Sequence, residues 1–96
     1  MVKRKKRYKF IQIKKKKYYF CCVEWSDILG DSGHANADDF DKMKPASMTT
    51  HAYLYSKDRK TVKTFSSYDN DDEVFSDRNV FPAGCIKKIT KIEIWG

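Results

Sequence analysis

The chain has 96 residues, 20 Lys or Arg against 13 Asp or Glu, a net charge of +7, and hydrophobic and aromatic fractions of 41% and 15%. That length holds one domain with a compact core and not two, and the apolar share excludes a disordered tail. Three cysteines, adjacent Cys21 and Cys22 with Cys85 far off, exclude a disulfide framework and fit a reducing compartment, where buried thiols act as small hydrophobes.

Ten of the twenty basic residues fall in positions 1–17, which hold no acid; the remainder carries ten basic against thirteen acidic side chains. A basic end of this kind attracts phosphates, nucleic acid or an acidic protein. The basic N-terminus is not followed by an apolar stretch long enough for a secretory leader. The longest apolar run, residues 18–23, is too short to cross a bilayer, so no membrane partner is expected.

Residues 1–7 read as a solvated basic arm and residues 8–96 as a single β domain. Alternation over 8–13 predicts a strand, and lysines 14–17 an exposed turn. Residues 18–25 form the strongest strand signal, rich in aromatic and β-branched side chains. Glu24 assigned to solvent puts Tyr19, Cys21, Val23 and Trp25 on the buried face. Residues 26–37 are rich in Gly, Asp, Ser and Asn and read as a polar loop.

Asn36 then caps a short helix whose first turn holds Asp38 and Asp39, with Phe40 and Met43 as its buried face and Pro45 as its stop. Residues 49–56 and 61–68 predict two strands joined by a charged hairpin turn at 57–60. Residues 69–73 read as an acidic loop, 79–82 as a short extended piece, and 89–95 as a closing strand. Five short strands with one short helix describe a mostly β fold. A small SH3-like domain, a highly bent sheet or barrel, is the simplest architecture that suits them.

Catalysis requires a positioned nucleophile or acid–base pair. The two histidines, His34 in the polar loop and His51 in a strand, have no partner spacing that points to one, so no catalytic residue is assigned and the chain is expected not to be an enzyme. Cys21 and Cys22 point to opposite faces of a strand and cannot share a metal as a CxxC pair does. Acids 69–73 lack the glycine and spacing of an EF-hand loop, and residues 30–33 lack the lysine of a P-loop. No metal or cofactor is expected.

Binding chemistry remains. Lys3, Arg4, Lys5, Lys6, Arg7, Lys15 and Lys16 are candidate phosphate or nucleic-acid contacts. They interleave with Tyr8, Phe10, Tyr18, Tyr19 and Phe20, rings on which bases can stack; the same rings equally suit a β core, with lysines guarding an edge strand. Arg78, within Ser76–Asp77–Arg78–Asn79, has a planar fork suited to a phosphate or carboxylate, or to an ion pair with Asp77 or the acidic loop.

The chain also resembles a family at Val23-Glu24-Trp25-Ser26-Asp27, Asp31-Ser32-Gly33, Lys44-Pro45-Ala46, the hairpin 50–65 and Asp77-Arg78-Asn79-Val80-Phe81-Pro82-Ala83-Gly84-Cys85-Ile86-Lys87-Lys88-Ile89. These motifs look like those of small tailed-phage proteins with a Val-x-Trp-x-Asp start and an Ile-Pro-x-Gly-x-Ile-x-x-Ile ending. Phe81 stands where that set usually has Ile, and His34 where a tryptophan is common. The resemblance implies a phage protein in the cytoplasm of an infected bacterium, of a kind that often counters host defence.

On that basis the first expectation is an anti-defence sponge that sequesters a cyclic nucleotide or oligonucleotide signal, with Trp25, His34, Thr50, Tyr53 and Arg78 as ligand contacts and a homo-oligomer as the working form. The alternatives are a nucleic-acid-binding SH3-like module that uses the basic N-terminus, and a protein inhibitor that docks on a host enzyme.

Overall fold

In the computed structural model, which describes residues 5–94, ten strands, one short helix and one 3-10 turn follow each other along the chain. β1 (Arg7–Tyr8) and β2 (Phe10–Ile13) lead into β3 (Lys16–Asp27). The helix α1 (Ala37–Asp41) precedes β4 (Ala46–Lys57), β5 (Thr61–Phe65), β6 (Ser67–Asp69), β7 (Val74–Ser76) and β8 (Asn79–Pro82). The 3-10 turn (Ala83–Cys85), β9 (Ile86–Lys91) and β10 (Glu93–Ile94) complete the described chain. The mostly β class is as expected; Trp95, assigned to the last strand, lies outside the described residues.

All pairings are antiparallel, and the main sheet runs β2-β3-β4-β5-β8 with β9 also on β3. β3 is the spine. One of its edges carries β4 along residues 20–27; the other carries β2 along residues 16–19 and β9 along residues 21–25. Where β2 gives way to β9, three backbone hydrogen bonds form a closed cycle. Lys9 N–H donates to the Ile92 carbonyl (2.8 Å), Ile92 N–H to that of Phe20 (3.0 Å), and Phe20 N–H to that of Lys9 (2.9 Å). Beyond it the first strand leaves β3 and pairs as β1 with β10, Arg7 opposite Ile94. Arg7, read as part of a solvated arm, is therefore in the sheet, while Lys5 and Lys6 are exposed coil.

The sheet curls without closing. Trp25 on β3 and Phe81 on β8 are three strands apart, about 14 Å in a flat sheet, yet their ring centroids are 5.1 Å apart. A bulge in β9 at Glu24/Trp25 sharpens the bend. β8 and β9, joined by the three-residue 3-10 turn, do not pair with each other. Of the two expected forms, a highly bent sheet or a barrel, the sheet does not close into a barrel, because β2 and β9 share one edge of β3 and β8 and β9 form no ladder with each other.

Two cores sit on opposite faces of this sheet. Inside the curl Cys21, Val23, Ala52, Val62 and Phe81 are buried, as the alternation of β3 predicts. The other face was assigned to solvent and is also packed: Tyr18 joins Ile13 and Phe65 in a buried cluster with Tyr53, Tyr68 and Phe75 against it. Phe75 and Phe65 are 4.7 Å apart, with Tyr18 edge-on to both at 5.6 and 5.4 Å. The cover is the β6–β7 hairpin, in which Tyr68 pairs with Phe75. The expected strand 61–68 breaks at Ser66 so that this hairpin can fold over, and of the expected acidic loop 69–73 residues 70–73 are its turn, Asp69 closing β6 opposite Val74.

Other elements differ locally from expectation. The lysine turn is only Lys14–Lys15, and Lys16 and Lys17 already belong to β3. Asn36 accepts from Asp39 N–H at 2.8 Å, so α1 is capped as expected. Phe40, assigned to a buried face, is 68% exposed, because α1 stands on an excursion between β3 and β4 and buries none of its residues. Asp58 Oδ1 accepts from Thr61 and Lys60 N–H, each at 2.8 Å, to set the β4–β5 turn. These bonds hold its carboxyl below the usual range.

Two substitutions test the packing. Lys14 and Lys15 have φ of 45° and 75°, the left-handed pair of a type I′ hairpin that favours Asn-Gly. The double change Lys14→Asn/Lys15→Gly is expected to raise stability by about 1–2 kcal/mol, read by urea denaturation. The Thr64 hydroxyl is buried without a hydrogen-bond partner, so Thr64→Val should leave stability unchanged or raise it by about 1 kcal/mol; a clear loss would mean that the hydroxyl is satisfied in solution.

Candidate functional site

The hydrogen-bond cycle at Lys9, Phe20 and Ile92 brings the two ends of the chain together, and with them most of the positive charge. Residues 1–23 and 78–94 contain fourteen of the twenty basic side chains and one acid, Glu93; residues 24–77 contain six basic and twelve acidic side chains. Glu93 pairs with Lys6 at 3.6 Å, the sole ion pair among the described residues. The basic character of the first strands is thus reinforced by β9, which adds Lys87, Lys88 and Lys91.

Lysines and rings alternate around the junction. Residues two apart on a strand share a face, as do registered cross-strand partners. Phe10 is opposite Tyr19, and Lys91 is opposite Cys21, so Tyr8, Phe10, Lys17, Tyr19 and Lys91 line one face. Lys17 Nζ lies 4.8 Å from the Phe10 centroid, and Phe10 lies 5.8 Å from Tyr19. Lys91 Nζ bridges Tyr19 at 4.2 Å and Tyr8 at 5.6 Å. Phe10 is 42% exposed and Tyr8 and Tyr19 are half-buried, so the row presents ring area and ammonium groups to solvent. On the opposite face Lys9 covers Phe20 at 4.4 Å, and His51 stacks on the same ring at 6.5 Å.

The five expected ligand contacts do not converge. Trp25 and Thr50 meet, with the indole N–H donating to the Thr50 hydroxyl at 2.9 Å, but the indole packs on Phe81 inside the curl. Tyr53 lies on the other face, 5.0 Å from Phe20 and 5.6 Å from Phe65. His34 is exposed on the excursion. Of the five, Arg78 lines a cavity, about 690 Å³, with Lys63, Glu73, Tyr55, Phe65, Phe75 and Val80. Its possible partner Asp77 instead accepts from the Ser67 hydroxyl at 2.6 Å.

Among the expected phosphate contacts, Lys5 and Lys15 are exposed, Lys6 holds Glu93, and Arg7 is an exposed β1 residue. Lys16 sits over Tyr18 and Tyr55 at 5.5 and 5.6 Å. Lys3 and Arg4 lie outside the described residues. Lys17 and Lys91 were not assigned and are central to the row. Lys17 had a legible signal, the two-residue spacing to Tyr19; Lys91 depends on a pairing across 70 positions that local patterning does not carry.

No group of three or more His, Cys, Asp or Glu is placed to hold a metal among the described residues, and no helix is long and apolar enough to cross a membrane. Comparison with protein-family models, curated proteins and solved structures finds no match.

Burial pushes the Cys21 thiol above its ordinary pKa, against an opposing pull from Lys91. A thiol raised by folding contributes stability that is complete at neutral pH and is lost as the pH rises through the folded value. Thiol labelling at neutral pH should therefore modify half-buried Cys22 and Cys85 first and Cys21 only on unfolding. Early labelling of Cys21 would show that the curl opens readily.

Proposed function

We propose that the chain is a non-enzymatic protein that binds single-stranded nucleic acid along the Tyr8–Phe10–Tyr19 row. The observation that carries this reading is the alternation of Lys17 and Lys91 with those rings at 4.2–5.6 Å inside a zone with one acid. Bases stack on partly exposed rings irrespective of sequence, while the ammonium groups neutralise the backbone. Lysine stems on rings also guard exposed strand edges, but that role alone needs no such concentration of positive charge.

The resemblance to tailed-phage proteins supports the cytoplasm of an infected bacterium as the setting and interference with host defence as the purpose. It also favours a second reading, sequestration of a cyclic or linear nucleotide signal. Arg78, with no ion pair among the described residues, and Lys63 on a cavity with aromatic walls are the observation behind it.

The test is fluorescence anisotropy with a labelled oligothymidylate across a salt series. The logarithm of affinity should fall linearly with the logarithm of salt, and removing both Lys17 and Lys91 by alanine substitution should reduce the slope by about 1.4. Tyr19→Ala should weaken binding by about 1–3 kcal/mol, and Arg78→Ala should leave unchanged the binding of an oligomer too short to meet more than one row. If oligonucleotide does not bind at low salt while a cyclic dinucleotide does, in an Arg78-dependent way, the second reading replaces the first.

A further inference from the structure

The excursion between β3 and β4 is acidic and apolar at once. Residues 28–45 carry Asp31, Asp38, Asp39 and Asp41 against Lys42 and Lys44, and Ile28, Leu29 and Phe40 are 88%, 55% and 68% exposed. Phe40 is presented at the tip of a capped helical turn, between Asp39 and Asp41. The chain is also far from compact: its radius of gyration is 18.0 Å, with extents of 58 × 43 × 23 Å, where a globular domain of this length is about 12.5 Å.

A cavity of opposite character lies at the far end of β4. Tyr55, on the same face as Tyr53 two positions away, forms it with Phe65, Phe75 and Val80, and two cations, Lys63 and Arg78, line it against one acid, Glu73. Val80 is 60% exposed, and Val74 beside it 53%. Ala46, where the excursion returns to the sheet, and Tyr55 are nine strand positions apart, about 30 Å, so the root of the excursion and the cavity stand at opposite ends of β4.

We infer that the cavity at Arg78 receives α1 of a second copy of this chain, Phe40 seated between Phe75 and Val80 and Asp39 and Asp41 against Lys63 and Arg78. The fit is of an aromatic flanked by carboxylates to a cavity with aromatic walls whose two cations outnumber its one acid, Glu73, and it covers exposed apolar groups on both partners. Donor and acceptor are different surfaces, so the contact is heterologous and propagates head to tail, into a ring where the rotation closes. The inference does not rest on nucleic-acid binding, since the row of Tyr8, Phe10 and Tyr19 takes no part in it.

The experiment is light scattering after size-exclusion chromatography on the intact protein and two variants. Phe40→Glu removes the plug and Arg78→Glu spoils the cavity. Wild type should run as an oligomer and each variant alone as a monomer. An equimolar mixture should give a dimer and nothing larger, because only one intact plug and one intact cavity remain per pair. The mixture also controls for folding, since a misfolded variant cannot restore the dimer.

A monomeric wild type, or variants that keep the wild-type mass, would overturn the inference. A monomer that binds cyclic dinucleotide only while Arg78 is intact would overturn it in favour of a small ligand in the same cavity. Nucleic-acid binding that persists in both variants, or fails in all three proteins, leaves the assembly result to be read independently.

Discussion

Three backbone hydrogen bonds among Lys9, Phe20 and Ile92 hold together the part of the molecule on which the rest depends. A strand that changes partners must leave amide groups at the branch, and buried amides without partners cost heavily. Here three strands branch at one place and each satisfies the next. The first strand passes from β10 to β3, β3 from β2 to β9, and the last strand from β3 to β1. Each change is possible because the other two occur beside it.

This junction explains why the sheet is curled and open. With β2 and β9 dividing one edge of β3, neither extends along its whole length, and the curl at the Trp25 end develops separately from the aromatic cluster at the Tyr18 end. One face is closed by bending, Trp25 against Phe81; the other by a separate lid, the β6–β7 hairpin. Each core is small. Among the described residues the large apolar side chains almost wholly removed from solvent are Phe65, Ile13, Val23 and Val62, and α1, which bears Phe40, buries none of its residues.

Local patterning made some of this legible. Period-two alternation and β-rich composition placed strands at 8–13 and 18–25, inside the observed 7–13 and 16–27, and the Asn36 cap marked α1, because these signals act over a few residues. The burial of Phe40 and Met43 was read from their spacing. Such spacing identifies a shared face but says nothing of what meets it, and for Phe40 nothing in the chain does. Thr50 and Tyr53 were assigned to one site although three positions on a strand separate faces, so parity in β4 already argued against it. The break at Ser66 has no Gly or Pro to announce it; it follows from the tertiary demand for a cover over Tyr18 and Phe65. Arg78 was singled out as a cation among small polar residues, but the cavity it lines is assembled from β4, β5, β7 and β8 and has no sequence signature.

The distribution of charge then links the two proposed surfaces. The junction is almost purely basic, and the acids are concentrated on the excursion and the β6–β7 turn. Copies joined through the acidic excursion and the cavity at Arg78 consume negative charge at each contact and leave every basic row exposed. In a head-to-tail assembly the row recurs once per subunit, so one strand of nucleic acid long enough to meet successive rows binds them as a linked set. The effective concentration of each further row multiplies a modest affinity without any new contact. Opposite charge segregation, with basic plugs and acidic cavities, would bury the charge that binding needs. The arrangement in this sequence keeps it available.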